Sequence, residues 1–212
     1  MLAEKAIKQY VGTNYSFLDL ETGKVSYNFK EGSYISIAKS RTSIDTKFSI
    51  YCRNGKVMSD DYEMNVLGMF NTAQRLSDEY SAVAKGIVRK ELGYENTTMV
   101  TYDKSTYENA EKILKLDMKF DKALPLNAEV ILRLDLTDNS IDSMAKVLTD
   151  AHKAFKANGC NFVKYELFSE NGGTLVMINN VTPGDIESGN LTGLLNKAKS
   201  GESGNGISVL IK

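Results

Sequence analysis

Tryptophan is absent from this 212-residue chain, histidine occurs once, and cysteine and proline occur twice each. A single histidine excludes any metal centre or relay built on two or more imidazoles. The cysteines, Cys52 and Cys160, lie far apart. That spacing fits two reduced, partly buried thiols better than a disulfide between them, and it leaves the compartment open. No apolar run approaches the roughly 18–20 residues needed to cross a bilayer. The start, Met1-Leu2-Ala3-Glu4-Lys5, lacks the apolar core of a signal peptide, so the cytoplasm is the default location. A cell-envelope or secreted protein with its targeting segment removed is the alternative. Charge of one sign is missing as well: Lys+Arg 26 against Asp+Glu 27 leaves a formal net charge of −1. Nucleic-acid affinity comes largely from neutralising phosphates, and nothing here supplies the basic surplus it requires. The densest basic stretch, Lys85 to Lys90, is interrupted by Gly86, Ile87 and Val88 and reads as the solvated face of a helix.

What is present is an ordinary globular composition, with 42% hydrophobic and 25% charged residues. Residues 2–11 read as a short helix. Tyr15–Leu20 and Lys24–Phe29 alternate like strands around Glu21-Thr22-Gly23, which predicts a hairpin. Thr46–Cys52 and Lys56–Ser59 predict a second one, because Asn54-Gly55 tolerates the positive φ angles of a type I′ turn. A further strand is expected near Tyr34–Ala38. Over residues 61–92 the period changes to 3.6: Met69, Ala73, Leu76, Tyr80, Val83 and Ile87 recur at spacings of four and three. The pattern predicts a long amphipathic helix, bent near Gly68 or Gly86 and stopped at Gly93. It can pack on the protein's own sheet or form a dimer seam, and fewer than four heptads favour the sheet. Thr97–Tyr102 reads as a strand, and Ser105-Thr106-Tyr107-Glu108 as a capping box opening a helix over 105–117.

In the remainder, Glu129–Leu136 is strand-like. Asn139 or Ser140 caps a helix striped with Ile141, Met144, Leu148, Ala151 and Phe155. Strands Phe162–Phe168 and Thr174–Val181 turn around Asn171-Gly172-Gly173. Thr182-Pro183 opens another helix carrying Leu191, Leu194, Leu195 and Ala198, and 206–211 closes as a strand. The order β-α-β-β-α-β is that of a ferredoxin-like sandwich. The expected class is α+β. Residues 1–120 form a helix-plus-antiparallel-hairpin domain that includes the long helix, and residues 127–212 form the ferredoxin-like domain, with the break near Leu124-Pro125.

Chemistry-bearing residues are scattered. His152 falls at the edge of the Ile141/Leu148/Phe155 stripe, where an imidazole usually covers the core margin. Cys160 follows one turn after that helix, so a Cys–His pair depends on the fold alone. Asp60-Asp61-Tyr62 places two carboxylates side by side after a strand, and one is expected to cap the next helix. Asp135 to Asn139 begins like a calcium loop, but Ser140 stands where the turn glycine belongs and Lys146 where the bidentate acid belongs. Gly201-Glu202-Ser203-Gly204-Asn205-Gly206 follows a helix and precedes a strand, the wrong polarity for a phosphate cradle. Tyr10, Tyr15, Tyr27, Tyr34, Tyr51 and Tyr62 suit both sheet packing and a binding surface. No catalytic, cofactor-binding or metal-ligating residue is assigned, and no cofactor is expected.

Four short segments, Tyr10-Val11-Gly12, Phe48-Ser49-Ile50, Gly55-Lys56-Val57 and Asp60-Asp61-Tyr62, carry a resemblance. A short helix ending near Tyr-Gly, then hairpins ending in Asp-Asp-Tyr, resembles small uncharacterised proteins of clostridial and related Firmicutes bacteria. The resemblance covers under a third of the chain and implies no activity. The reading expected from the whole sequence is a non-enzymatic binding or structural module with a protein partner, either a second copy or another chain. An enzyme using carboxylates such as Asp60, Asp61 or Asp135 and a small-ligand sensor are the competing readings.

Overall fold

The computed structural model describes residues 2–202 and 206–212; residues 203–205 of the glycine-rich segment lie outside the described residues. The chain divides into two compact units. One runs up to Arg75 and takes in Tyr107–Lys119; the other holds Leu76–Thr106 and Phe120–Lys212. The chain thus passes between units three times, and residues 76–106, expected in the first domain, belong to the second. Among the described residues, ten strands form two five-stranded sheets, one in each unit, which makes the class α+β.

In the first unit, helix α1 (Leu2–Asn14) turns Ala3, Ile7 and Val11 inward. It is followed by β1 (Leu20–Thr22), β2 (Ser26–Asn28), β3 (Ser33–Ser40), β4 (Lys47–Arg53) and β5 (Lys56–Asp60). The first predicted hairpin does not form. β1 and β2 both pair antiparallel with β3, as two halves of one edge strand. Thr22 faces Ala38 while Ser26 faces Ile35, so this strand carries one residue more than its partner and bulges at 23–25. Gly23 serves the bulge, not a turn: its N–H donates to Ile37 O at 2.8 Å, and a Cβ there would sit 3.3 Å from that oxygen. The reversal occurs instead after Asn28, where Gly32 has φ +60°. The β4–β5 hairpin forms as expected, with Asn54 at φ 52° and Gly55 at φ 73°. Ala38, Phe48, Ile50 and Cys52 pack on one face of the sheet with Ile7, Val11 and Val66.

The predicted long helix is three pieces. A π-helical turn, Glu63–Leu67, ends at Gly68; α2 spans Phe70–Ile87; a second π-helical turn, Val88–Leu92, ends at Gly93 with φ 76°. The break between the first two is backbone-made, because Met69 adopts φ 59° and Gly68 sits too close to Met64 O for a side chain. β6 (Met99–Tyr102) follows. The next helix is capped by Asp103 rather than by a box at Ser105: Thr106 N donates to Asp103 Oδ1 at 3.0 Å. It is also shorter than predicted, α3 (Lys104–Glu108) and α4 (Ala110–Ile113) replacing a single helix over 105–117.

The second unit continues through β7 (Ala128–Leu134), α5 (Ile141–Ala157), β8 (Lys164–Asn171), β9 (Thr174–Val181), α6 (Pro183–Glu187), α7 (Leu191–Lys199) and β10 (Ser208–Ile211). Ser140 caps α5, and Thr182 caps α6 through a capping box with Asp185. The element order β-α-β-β-α-β is as read from the sequence, but the pairing is not ferredoxin-like. A split βαβ unit has a strand between its two parallel strands. Here β7 and β8 are direct parallel neighbours, and the sheet order is β10-β9-β8-β7-β6. Val130, Leu132, Leu167 and Ile178 are fully buried, as are Met144, Leu148 and Phe155 of α5. The alternate strand residues, including Ile131, Arg133, Glu166, Phe168 and Met177, project to the opposite face of this sheet.

Candidate functional site

Most of the residues singled out from the sequence are occupied with holding the fold. Asp60 Oδ2 accepts from the Tyr10 and Tyr15 hydroxyls at 2.6 and 2.8 Å, and its Oδ1 accepts from Tyr62 N. The carboxylate therefore ties α1 and the chain after it to the end of β5. The bond to Asp60 raises the Tyr10 hydroxyl above its ordinary pKa. For Tyr15, burial is the larger cause and Asp60 adds to it. Asp61 points elsewhere, accepting from Ser49 N at 2.5 Å and Tyr51 Oη at 3.4 Å. Neither aspartate caps a helix.

His152 is 5% exposed. Its Nδ1 lies 2.8 Å from Tyr165 Oη and its Nε2 3.1 Å from Glu187 Oε1, which Lys156 also reaches at 2.7 Å. This row of Glu187, His152 and Tyr165 has the order of a proton relay, yet it ends on a tyrosine buried to 1% exposure, with its hydroxyl raised by burial. It therefore bonds α5 to β8 and α6. Cys52 and Cys160 are free and buried, and burial raises both thiols. Asp138, from the discarded calcium pattern, accepts from Ser140 N at 2.8 Å. Among the described residues no group of three or more His, Cys, Asp or Glu side chains can hold a metal ion.

One polar centre carried no signal in the sequence. Asp45, on the loop before β4, is 1% exposed at its side chain and pairs with Arg75 at 2.7 Å. Both guanidinium arms engage it, Nε at 2.7 Å and Nη2 at 2.9 Å, and Thr72 Oγ1 and Asp117 N donate to it as well. Burial alone would raise this carboxyl, but those donors hold it below the ordinary carboxylate range. Asp117, at φ 60°, accepts in turn from Ser43 Oγ and Asp45 N. Loop 41–46, the start of α2 and the returning segment 107–119 are locked together by one buried carboxylate.

A concave surface in the second unit lies on the sheet face that points away from α5. It is a groove of about 670 Å³ with Phe168, Leu175 and Met177 as its floor, and Glu95, Asp135 and Glu170 on its rim. Arg133 stacks on Phe168, its guanidinium carbon 5.3 Å from the ring centroid, and has no carboxylate at ion-pair distance among the described residues. Cross-strand register makes this row: Arg133 faces Phe168, Phe168 faces Met177, and Met177 faces Leu210. Burial and the Glu129 carboxylate raise Glu166, which lies on the same face. Asp135, one of the carboxylates of the competing enzyme reading, sits at this rim. Asp60 and Asp61 belong to the first unit. The alternation of β7, β8 and β9 was readable in the sequence, but the row was not, because it depends on the parallel pairing of β7 with β8.

Fold and groove together define a two-unit α+β protein whose second sheet carries one helix-packed face and one face bearing an apolar groove. The chain belongs to the YfjL-like family: residues 79–196, more than half its length, match the YfjL-like C-terminal domain, and residues 1–61 match the YfjL-like N-terminal domain. No curated protein and no solved structure matches it. No helix among the described residues is long and apolar enough to cross a membrane.

Proposed function

We propose that this protein is a binding module, and that the groove on the second sheet is its contact surface for a protein partner. The observation that carries this reading is the row Arg133–Phe168–Met177. Aromatic, methionine and arginine side chains are the types enriched at interface centres, and here they line a concavity instead of the core. The competing reading, an enzyme using carboxylates, has less support, since Asp60 and Asp61 are spent on tyrosines and backbone amides and leave Asp135 without either of them. The sensor reading leaned on ferredoxin-like pairing, which the strand order removes.

Selection of a random peptide library on the intact chain tests the proposal. Phe168→Asp puts a charge into the groove floor without touching the buried face. Peptides recovered on the wild type are expected to lose most of their binding to Phe168→Asp and to keep it with Ile37→Asp on the first sheet. Peptides indifferent to Phe168→Asp would contradict the reading.

A further inference from the structure

The charges around the groove select among partners, provided the binding-module reading holds. Two of the ion pairs near it are closed: Lys164 with Glu129 at 2.6 Å and Arg89 with Glu95 at 2.9 Å. What remains is Arg133 and Lys212, the latter paired across the strands with Leu175, against Glu166, Glu170 and Asp135; none of these carboxylates has a cation within ion-pair distance among the described residues, although the charges of Lys164 and Arg133 act on Glu166. The face is therefore apolar along its middle, with its remaining carboxylates outnumbering its remaining cations by one. Glu166 is half-buried, which leaves its charge poorly solvated and gives a partner cation more to gain there than in open water.

A second copy is a poor fit. A two-fold interface sets the same patch against itself, so the carboxylate surplus would meet its own image, and like charges brought together oppose association. A nucleic acid or anionic surface is repelled for the same reason. An acyl chain would use the apolar floor and leave the carboxylates unanswered. We infer that the groove receives a basic amphipathic protein segment, its apolar side chains laid on Phe168, Leu175 and Met177 and its lysines or arginines set against Glu166, Glu170 and Asp135. The partner also contributes an acceptor for Arg133, whose N–H groups have no hydrogen-bond acceptor among the described residues while its face stacks on Phe168; a backbone carbonyl serves.

The test uses the full chain and a fluorescein-labelled helical peptide of leucine and lysine, with a leucine–glutamate twin of the same length. Anisotropy is expected to rise with the lysine peptide and not with the glutamate twin, and the affinity is expected to fall as salt is raised. Glu166→Lys/Glu170→Lys, both on the groove face and off the helix-packed core, is expected to weaken the lysine peptide about tenfold or more. Phe168→Asp is expected to remove most of the remaining binding. Equal binding of both peptides, or a lysine peptide indifferent to the double charge reversal, would overturn the inference. Light scattering on the wild type separates the other occupant: a dimer broken by Phe168→Asp would place a second copy in the groove and overturn the basic partner, while the binding-module reading stands. Library peptides that need Phe168 but carry no basic residues would do the same.

Discussion

Asp45 is the residue on which the first unit turns. A carboxylate at 1% exposure with a bidentate arginine is costly to break from one side, because the partner charge is left buried. Asp45→Asn keeps the shape but loses the charge, and is expected to destabilise the protein by about 2–3 kcal/mol, read from the midpoint of chemical unfolding. The sign with pH follows from the lowered carboxyl. Its contribution is fully present above the ordinary carboxylate pKa of about 4 and is lost as pH falls through the depressed folded value. Wild type is therefore expected to lose stability on acidification more steeply than Asp45→Asn, with the two curves converging in acid; parallel curves would contradict the role. This centre was not legible in the sequence: Arg75 and Asp117 lie 30 and 72 residues from Asp45, and no local pattern marks a pairing that tertiary folding alone brings about.

At the scale of elements, two glycines that looked equivalent in the helical stretch turn out opposite. A Cβ on Gly68 would lie 2.7 Å from Met64 O, while one on Gly86 meets nothing within 4 Å. Gly68→Ala must disturb the backbone where the π-helical turn gives way to α2, and is expected to lower the melting temperature. Gly86→Ala is expected to leave it unchanged or raise stability by about 0.5–1 kcal/mol, the helix propensity difference. Thermal unfolding of the two variants side by side decides it, and equal effects would contradict the geometry. Periodicity located most elements because amphipathic alternation is a local signal: the β4–β5 turn at Asn54-Gly55 and the cap of α5 were readable for that reason. It failed at Gly23, where a bulge and a turn ask for the same residue. It failed again on the order of the second sheet, since one β-α-β-β-α-β string is compatible with more than one strand pairing.

Across the whole molecule, the two sheets share a plan. Each has one face packed into a core, and on each the opposite face is less buried. Among the described residues the second bears a groove with an aromatic–methionine floor and a stacked arginine, and most of the side chains that promised chemistry in the sequence are tethers. On the proposed function, partners engage this face of the second sheet. A methyl NMR titration with a peptide recovered from the library tests this by comparing Met177 on the groove floor with Met58, which is 66% exposed on the first unit. The Met177 methyl is expected to shift and saturate with the peptide while Met58 stays in place. A shift at Met58 with Met177 unmoved would contradict it.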